Sequence, residues 1–167
     1  MLERRFCFLL RCLRFDDTDT WEEQRQEDKF AVVREMWDTF IKKCTGNYTP
    51  HENITVDEQL LDFRVRCSFR QYIGNKPTKY GLMLVMASDV QSKYMVSAIP
   101  YLGTHTKPPP GVLLGEYFTT ELMKPYFHTQ RTVTRNNFFT SHPLAASLES
   151  LGVSIVGTMR KTQELAS

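Results

Sequence analysis

Apolar and polar positions alternate along the chain with two different periods, and the changes of period mark its elements. From Arg4 to Phe15, Phe6, Leu9, Leu10 and Leu13 fall at helical spacing with Arg4, Arg5, Arg11 and Arg14 over the remaining surface, which predicts a short amphipathic helix. The acidic, polar run from Asp16 to Glu27 reads as a linker turning into the next helix. Asp28 to Cys44 brings Phe30, Val33, Trp37, Phe40 and Ile41 to one face, the pattern of core packing with Trp37 as an anchor. Gly46 and Asn47 stop this helix, and Pro50 keeps the chain extended behind it.

Ile54 and Val56 alternate with Thr55 as in a half-buried strand, so Asp57 arrives at its end, and Glu58, one residue on, is expected on the opposite face. Tyr80 to Ala87 and Tyr94 to Tyr101 read as central strands joined by a hairpin over Ser88 to Lys93, with Asp89 as a turn former. A proline-rich loop, Thr104 to Gly111, precedes a helix from Leu113 to Phe127. Thr132 to Asn136 is a short strand. Pro143 to Leu151 is a helix opened by Ser141 and closed by Gly152, and Val153 to Thr158 is a last strand.

Composition narrows the picture little. The 167 residues are 41% hydrophobic and 24% charged with a net charge of +2, ordinary for one globular core. Cys7, Cys12, Cys44 and Cys67 lack the CxxC spacing of a zinc site and suggest no disulfide framework. His105, His128 and His142 likewise show no ligand spacing. The apolar run Phe6 to Leu10 is too short for a secretory signal, and no run approaches the roughly 18 apolar residues of a membrane span, so a membrane partner is not expected.

Two blocks carry a resemblance. Asn47 to Gly81, NYTPHENITVDEQLLDFRVRCSFRQYIGNKPTKYG, resembles the opening of the piggyBac-type transposase catalytic core. Arg135 to Ala145, RNNFFTSHPLA, followed by Val153 to Lys161, VSIVGTMRK, resembles a later part of that core, in the same order and spacing. LRFDD at Leu13 to Asp17 and the helix that follows resemble the segment ahead of it. The fold implied is α/β, an incomplete RNase H-like mixed sheet flanked by helices, with residues 1–46 as a preceding helical segment and 47–167 as a partial core.

Such transposases hold two Mg²⁺ ions on carboxylates, and amides do not replace the charge those ions need. By resemblance Asp57 takes the place of the first acid. Where the family has Asp-Asn before an aromatic pair, this chain has Asn136-Asn137-Phe138-Phe139, so Asn136 replaces the second acid. The third acid and a cysteine-rich zinc-binding tail lie beyond Lys161 in family order, whereas the sequence ends at Ser167. Asp62 and Glu149 are substitutes without a motif behind them. The expectation is a transposase-like chain that binds no Mg²⁺ productively, with Asp57 its single metal-binding acid, and performs no two-metal catalysis.

Between Phe63 and Lys79, Arg64, Arg66, Arg70, Lys76 and Lys79 interleave with Phe63, Phe69 and Tyr72. The pattern fits a strand pair with rings inside and a solvated basic face, and equally a surface that tracks phosphates. The resemblance favours DNA. Val65 stands where the family commonly has Gly, and Ser68 and Gly74 where it has Pro, so a turn is expected to differ. The resemblance further implies DNA and homo- or hetero-oligomers with transposase-like chains as partners, and a nuclear location. An interaction module pairing with an intact transposase, or a decayed fragment without selected function, are the alternatives. Helices missing from one face would leave Leu82, Leu84, Val85, Met95 and Ile99 exposed.

Overall fold

A computed structural model describes residues 2–13, 19, 21–136 and 140–158, and the chain divides into two compact units, Met1–Phe40 and Ile41–Ser167. Three helices begin in the first unit: α1 (Glu3–Cys12), α2 (Trp21–Glu27) and α3 (Ala31–Gly46). No side chain of α1 is buried, and Phe6, Phe8, Leu9, Leu10 and Leu13 all lie open to solvent. The expected amphipathic helix is thus present, with its apolar face uncovered among the described residues. It ends at Cys12, with Leu13 already extended, and Arg14 and Phe15 fall outside the described residues.

The acidic stretch read as a linker is helical from Trp21, because its Glu, Gln and Arg residues are good helix formers. The helix expected from Asp28 begins at Ala31 instead. Asp28 stands ahead of it, its Oδ1 accepting from the Phe30 amide at 2.9 Å and its Oδ2 from Arg34 Nε at 2.7 Å. Phe30 is buried and meets the Trp37 ring edge-on at 5.8 Å, so Trp37 packs as expected. Phe40, assigned to the same face, is 48% exposed.

The second unit is a six-stranded mixed sheet. Its strands are β1 (Asn53–Asp62), β2 (Gln71–Tyr72), β3 (Tyr80–Asp89), β4 (Met95–Pro100), β5 (Arg131–Arg135) and β6 (Val153–Gly157), with helices α4 (Leu114–Met123) and α5 (His142–Ser150) between the later ones. The order is β2-β3-β1-β5-β6, with β4 also paired to β3. β1, β3 and β4 run antiparallel, while β5 and β6 run parallel to β1 and to each other. This mixed pairing is the expected fold class. One core joins Ile54 and Val56 of β1, Val85 of β3 and Val133 of β5 to Phe118 and Leu122 of α4 and Leu144 and Leu148 of α5. Ser141 Oγ accepts from the Leu144 amide at 3.4 Å, and Gly152 takes φ +68° to leave α5, a conformation that L side chains resist. Ser141→Ala is expected to cost about 1 kcal/mol, read as a lowered thermal midpoint; an unchanged midpoint would show that the cap contributes nothing.

Three expectations need correction. β1 does not stop at Asp57 but continues to Asp62, because β3 pairs with it all the way to Asp62↔Gly81. The alternating segment from Phe63 to Lys79 forms no strand pair: only Gln71 and Tyr72 join the sheet, and turns at Ser68–Phe69 and Gly74–Asn75 take up the rest. Leu84 and Val85 are buried, and Leu82, Met95 and Ile99 half-buried, because β4 and α4 pack on β3.

Candidate functional site

The pairing of β1 with β5 runs from Asn53↔Thr132 to Val56↔Arg135 and then ends. Asp57 and Asn136 are the next residues on each strand, so parallel registration alone sets them side by side. Asn136 Nδ2 donates to Asp57 Oδ1 at 2.9 Å and to Glu58 Oε2 at 3.3 Å. Glu58 was expected on the far face, yet both carboxylates reach the same amide. The reason is that β5 has ended, leaving β1 an open edge round which adjacent side chains converge.

Lys76, from the loop before β3, completes the group: its Nζ lies 3.1 Å from Glu58 Oε1 and 3.4 Å from the Glu58 carbonyl. Partial burial and then the hydrogen bond with Glu58 raise the Asp57 carboxyl above its ordinary range. Burial pushes Glu58 up as well, but its hydrogen bonds with Asp57 and Lys76 outweigh this and leave it below its usual value. Asn136 is itself held from behind. Thr140 Oγ1 donates to its carbonyl at 2.9 Å, and a Cβ on Gly157 would collide with that hydroxyl and force it to move. The preceding Arg135 is 4% exposed and donates from Nη2 to the Gly115 carbonyl of α4 at 3.1 Å; burial pulls its guanidinium down to about 9.

Among the described residues the group offers two carboxylates and an amide, fewer charges than a pair of Mg²⁺ ions needs. Two divalent cations need several carboxylates to offset their charge, whereas here an amide N–H end lies against both acids and Lys76 neutralises one of them. Asp62 lies four residues beyond Glu58 and meets Arg64, and Glu149 is exposed on α5. The residues Asn137 to Phe139 lie outside the described residues. His105, His128 and His142 are exposed.

The five basic positions separate into two roles. Arg64, Arg66 and Lys79 are exposed. Arg70 is committed to its own loop, donating to the carbonyl of Arg64 at 2.9 Å with its guanidinium 5.2 Å from the Tyr80 ring centre, and Lys76 serves Glu58. Val65 is 67% exposed, and Ser68 and Gly74 sit in turns.

Sequence reasoning missed two features. Lys76 gave no signal as the partner of Glu58, since only the path of the loop joins them. Asp89 does form the turn, accepting from the Gln91 amide at 2.9 Å, but it is also wholly buried. Its Oδ2 accepts from the Tyr48 hydroxyl and Ser92 Oγ and lies 2.6 Å from His51 Nδ1. His51, in the PHENITV stretch of residues 50–56, gave no signal of this, as polar residues flanking a strand are common.

The family model described as Transposase IS4 matches residues 1–166. Among solved structures, a chain of the cryo-EM structure of the piggyBac transposase synaptic complex with hairpin DNA (SNHP) is 49% identical, with a TM-score of 0.89. The match covers 98% of this chain and 34% of that one, so this chain spans about a third of the length of that transposase. With the strand order and the paired ends of β1 and β5, these matches give one conclusion: the chain belongs to the piggyBac-type branch of the IS4 transposase family and carries part of its RNase H-like core.

Proposed function

We propose that this chain is a transposase-derived DNA-binding protein whose acidic site does not cut DNA by two-ion chemistry. The observation that supports this most is the Asn136 amide donating to both Asp57 and Glu58 where the family pattern has a second acid. Asp57 is the surviving first acid, Asn136 the neutral replacement, and Lys76 balances the pair instead of meeting DNA. Contact with phosphates falls to Arg64, Arg66 and Lys79, whose side chains stand in solvent. Chromosomal DNA as the partner carries a nuclear location with it.

Incubating the unaltered chain with duplex DNA and Mg²⁺ or Mn²⁺ tests the first half, and strand cleavage by it would overturn the reading. Binding to short duplexes across a salt series tests the second half. Three phosphate contacts give a slope of log K against log salt of about −2.7. Replacing Arg64, Arg66 and Lys79 together with alanine should bring the slope close to zero, and binding that ignores salt would count against this surface.

A second reading has its own observation. The apolar residues of α1 have no cover among the described residues, which supports pairing with another transposase-like chain. Light scattering distinguishes it: a monomer at every concentration removes the homo-oligomer form.

A further inference from the structure

The loop between β1 and β2 carries a serine at its tip. Ser68 is exposed and takes the second position of a β-turn that the Arg70 amide closes by donating to the Cys67 carbonyl at 3.3 Å. From Phe63 to Arg70 the chain enters no strand or helix. Its further ties are local too, with Arg70 Nη1 donating to the carbonyls of Arg64 at 2.9 Å and Val65 at 3.5 Å. An exposed segment held in this way opens before the sheet does, as a segment must to enter an enzyme's cleft. The other described serines stand in β3, β4 and β6 or on α5, cap α5 (Ser141), or donate to Asp89 (Ser92).

Charge singles out the same residue. The run RVRCSFR places Arg64 four residues and Arg66 two residues before Ser68, and Arg70 two after it, with Phe69 between. Arg66 is exposed. Asp62 is the single acid between positions 62 and 79, and it meets Arg64 at 3.5 Å. A hydroxyl set among guanidiniums complements a serine kinase whose substrate cleft is acidic. The phosphate it installs then lies against the same guanidiniums.

We infer that Ser68 is a phosphorylation site for an arginine-directed serine kinase, and that its modification switches off the basic surface of this loop. The γ-phosphoryl group of a nucleoside triphosphate passes to Ser68 Oγ. An O–P bond forms there, the bond between the β- and γ-phosphates breaks, the hydroxyl proton goes to the kinase's base, and the nucleoside diphosphate leaves. The added charge of about −2 falls beside Arg64 and Arg66, two of the three cations that carry the DNA-binding reading, and offsets both. The switch rests on that reading, whereas the site itself does not.

The test incubates the folded whole chain with the catalytic domain of an arginine-directed serine kinase, ATP and Mg²⁺, and locates phosphate by mass spectrometry. Ser68 should be the dominant acceptor, Ser68→Ala should remove that phosphate, and Arg66→Ala should slow its transfer severalfold. Phosphate on other residues with Ser68 bare, or transfer to the heat-unfolded chain and not to the folded one, would overturn the site. Duplex binding across a salt series then reads the switch. Phosphate on Ser68 should reduce the slope of log K against log salt from about −2.7 to about −0.9, and kinase-treated Ser68→Ala should keep the steeper slope. An unchanged slope in the phosphorylated chain would overturn the switch while leaving DNA binding intact. An unmodified chain that binds no duplex would remove the DNA-binding reading and the switch with it, and the mass spectrum would still decide the site.

Discussion

Asp89→Asn is expected to lower the thermal midpoint by on the order of 10 °C and to flatten its dependence on pH in acid. The carboxylate is wholly buried and serves donors from two segments: Tyr48 and His51 ahead of β1, and Gln91 and Ser92 in the hairpin turn. Burial opposes its ionisation, but the hydrogen bonds from Tyr48, His51 and Gln91 outweigh this and hold the carboxyl well below the usual carboxylate range. A group depressed on folding contributes stability that is complete above its unfolded pKa of about 4. That contribution is lost as pH falls towards the folded value. The wild-type midpoint should therefore drop steeply below about pH 4, and the asparagine variant should show a shallower fall from a lower plateau. Equal slopes in the two proteins would mean that Asp89 is not the group responsible.

Asn136→Asp is expected to create a divalent-ion requirement that the unaltered chain does not have. The substitution replaces an amide that donates to Asp57 and Glu58 with a third carboxylate, and Lys76 cannot balance three. Repulsion in this partly solvated group should cost about 1 kcal/mol at neutral pH in the absence of metal. Binding of an ion to the folded state then reverses the loss. At a concentration about tenfold above its dissociation constant, Mg²⁺ should raise the variant midpoint by about 4 °C. Thermal unfolding of both proteins with and without Mg²⁺ reads this directly. A wild-type chain stabilised to the same degree, or a variant indifferent to the ion, would refute the assignment of Asn136 to the place of the second acid.

Local pattern revealed more of the sheet than of the site. The alternation in Ile54 and Val56, the apolar run from Tyr80 to Ala87 and the cap and glycine around α5 each depend on neighbours within a few residues. These elements begin within a residue or two of where the pattern puts them, although β1 runs five residues past its expected end at Asp57. The segment from Phe63 to Lys79 alternates just as plainly yet is mostly turns, because β4 takes the edge of β3 along Leu84 to Ser88 and leaves only Tyr80 and Gly81 for β2. α2 was hidden for the opposite reason: a polar helix has no apolar stripe to reveal it.

The amino-acid sequence by itself determined the mixed α/β class and the family motifs, since these depend on residue identity and local period. Only the tertiary structure decided which groups meet. The end of β5 at Arg135 lets Glu58 turn to the same amide as Asp57. The path of the loop delivers Lys76 to Glu58 and leaves Arg64 and Lys79 in solvent, and the closure of the β3–β4 turn buries Asp89 against Tyr48 and His51. Each of these pairings joins residues from different segments, and their distance is set by strand registration and burial, which no short-range pattern encodes.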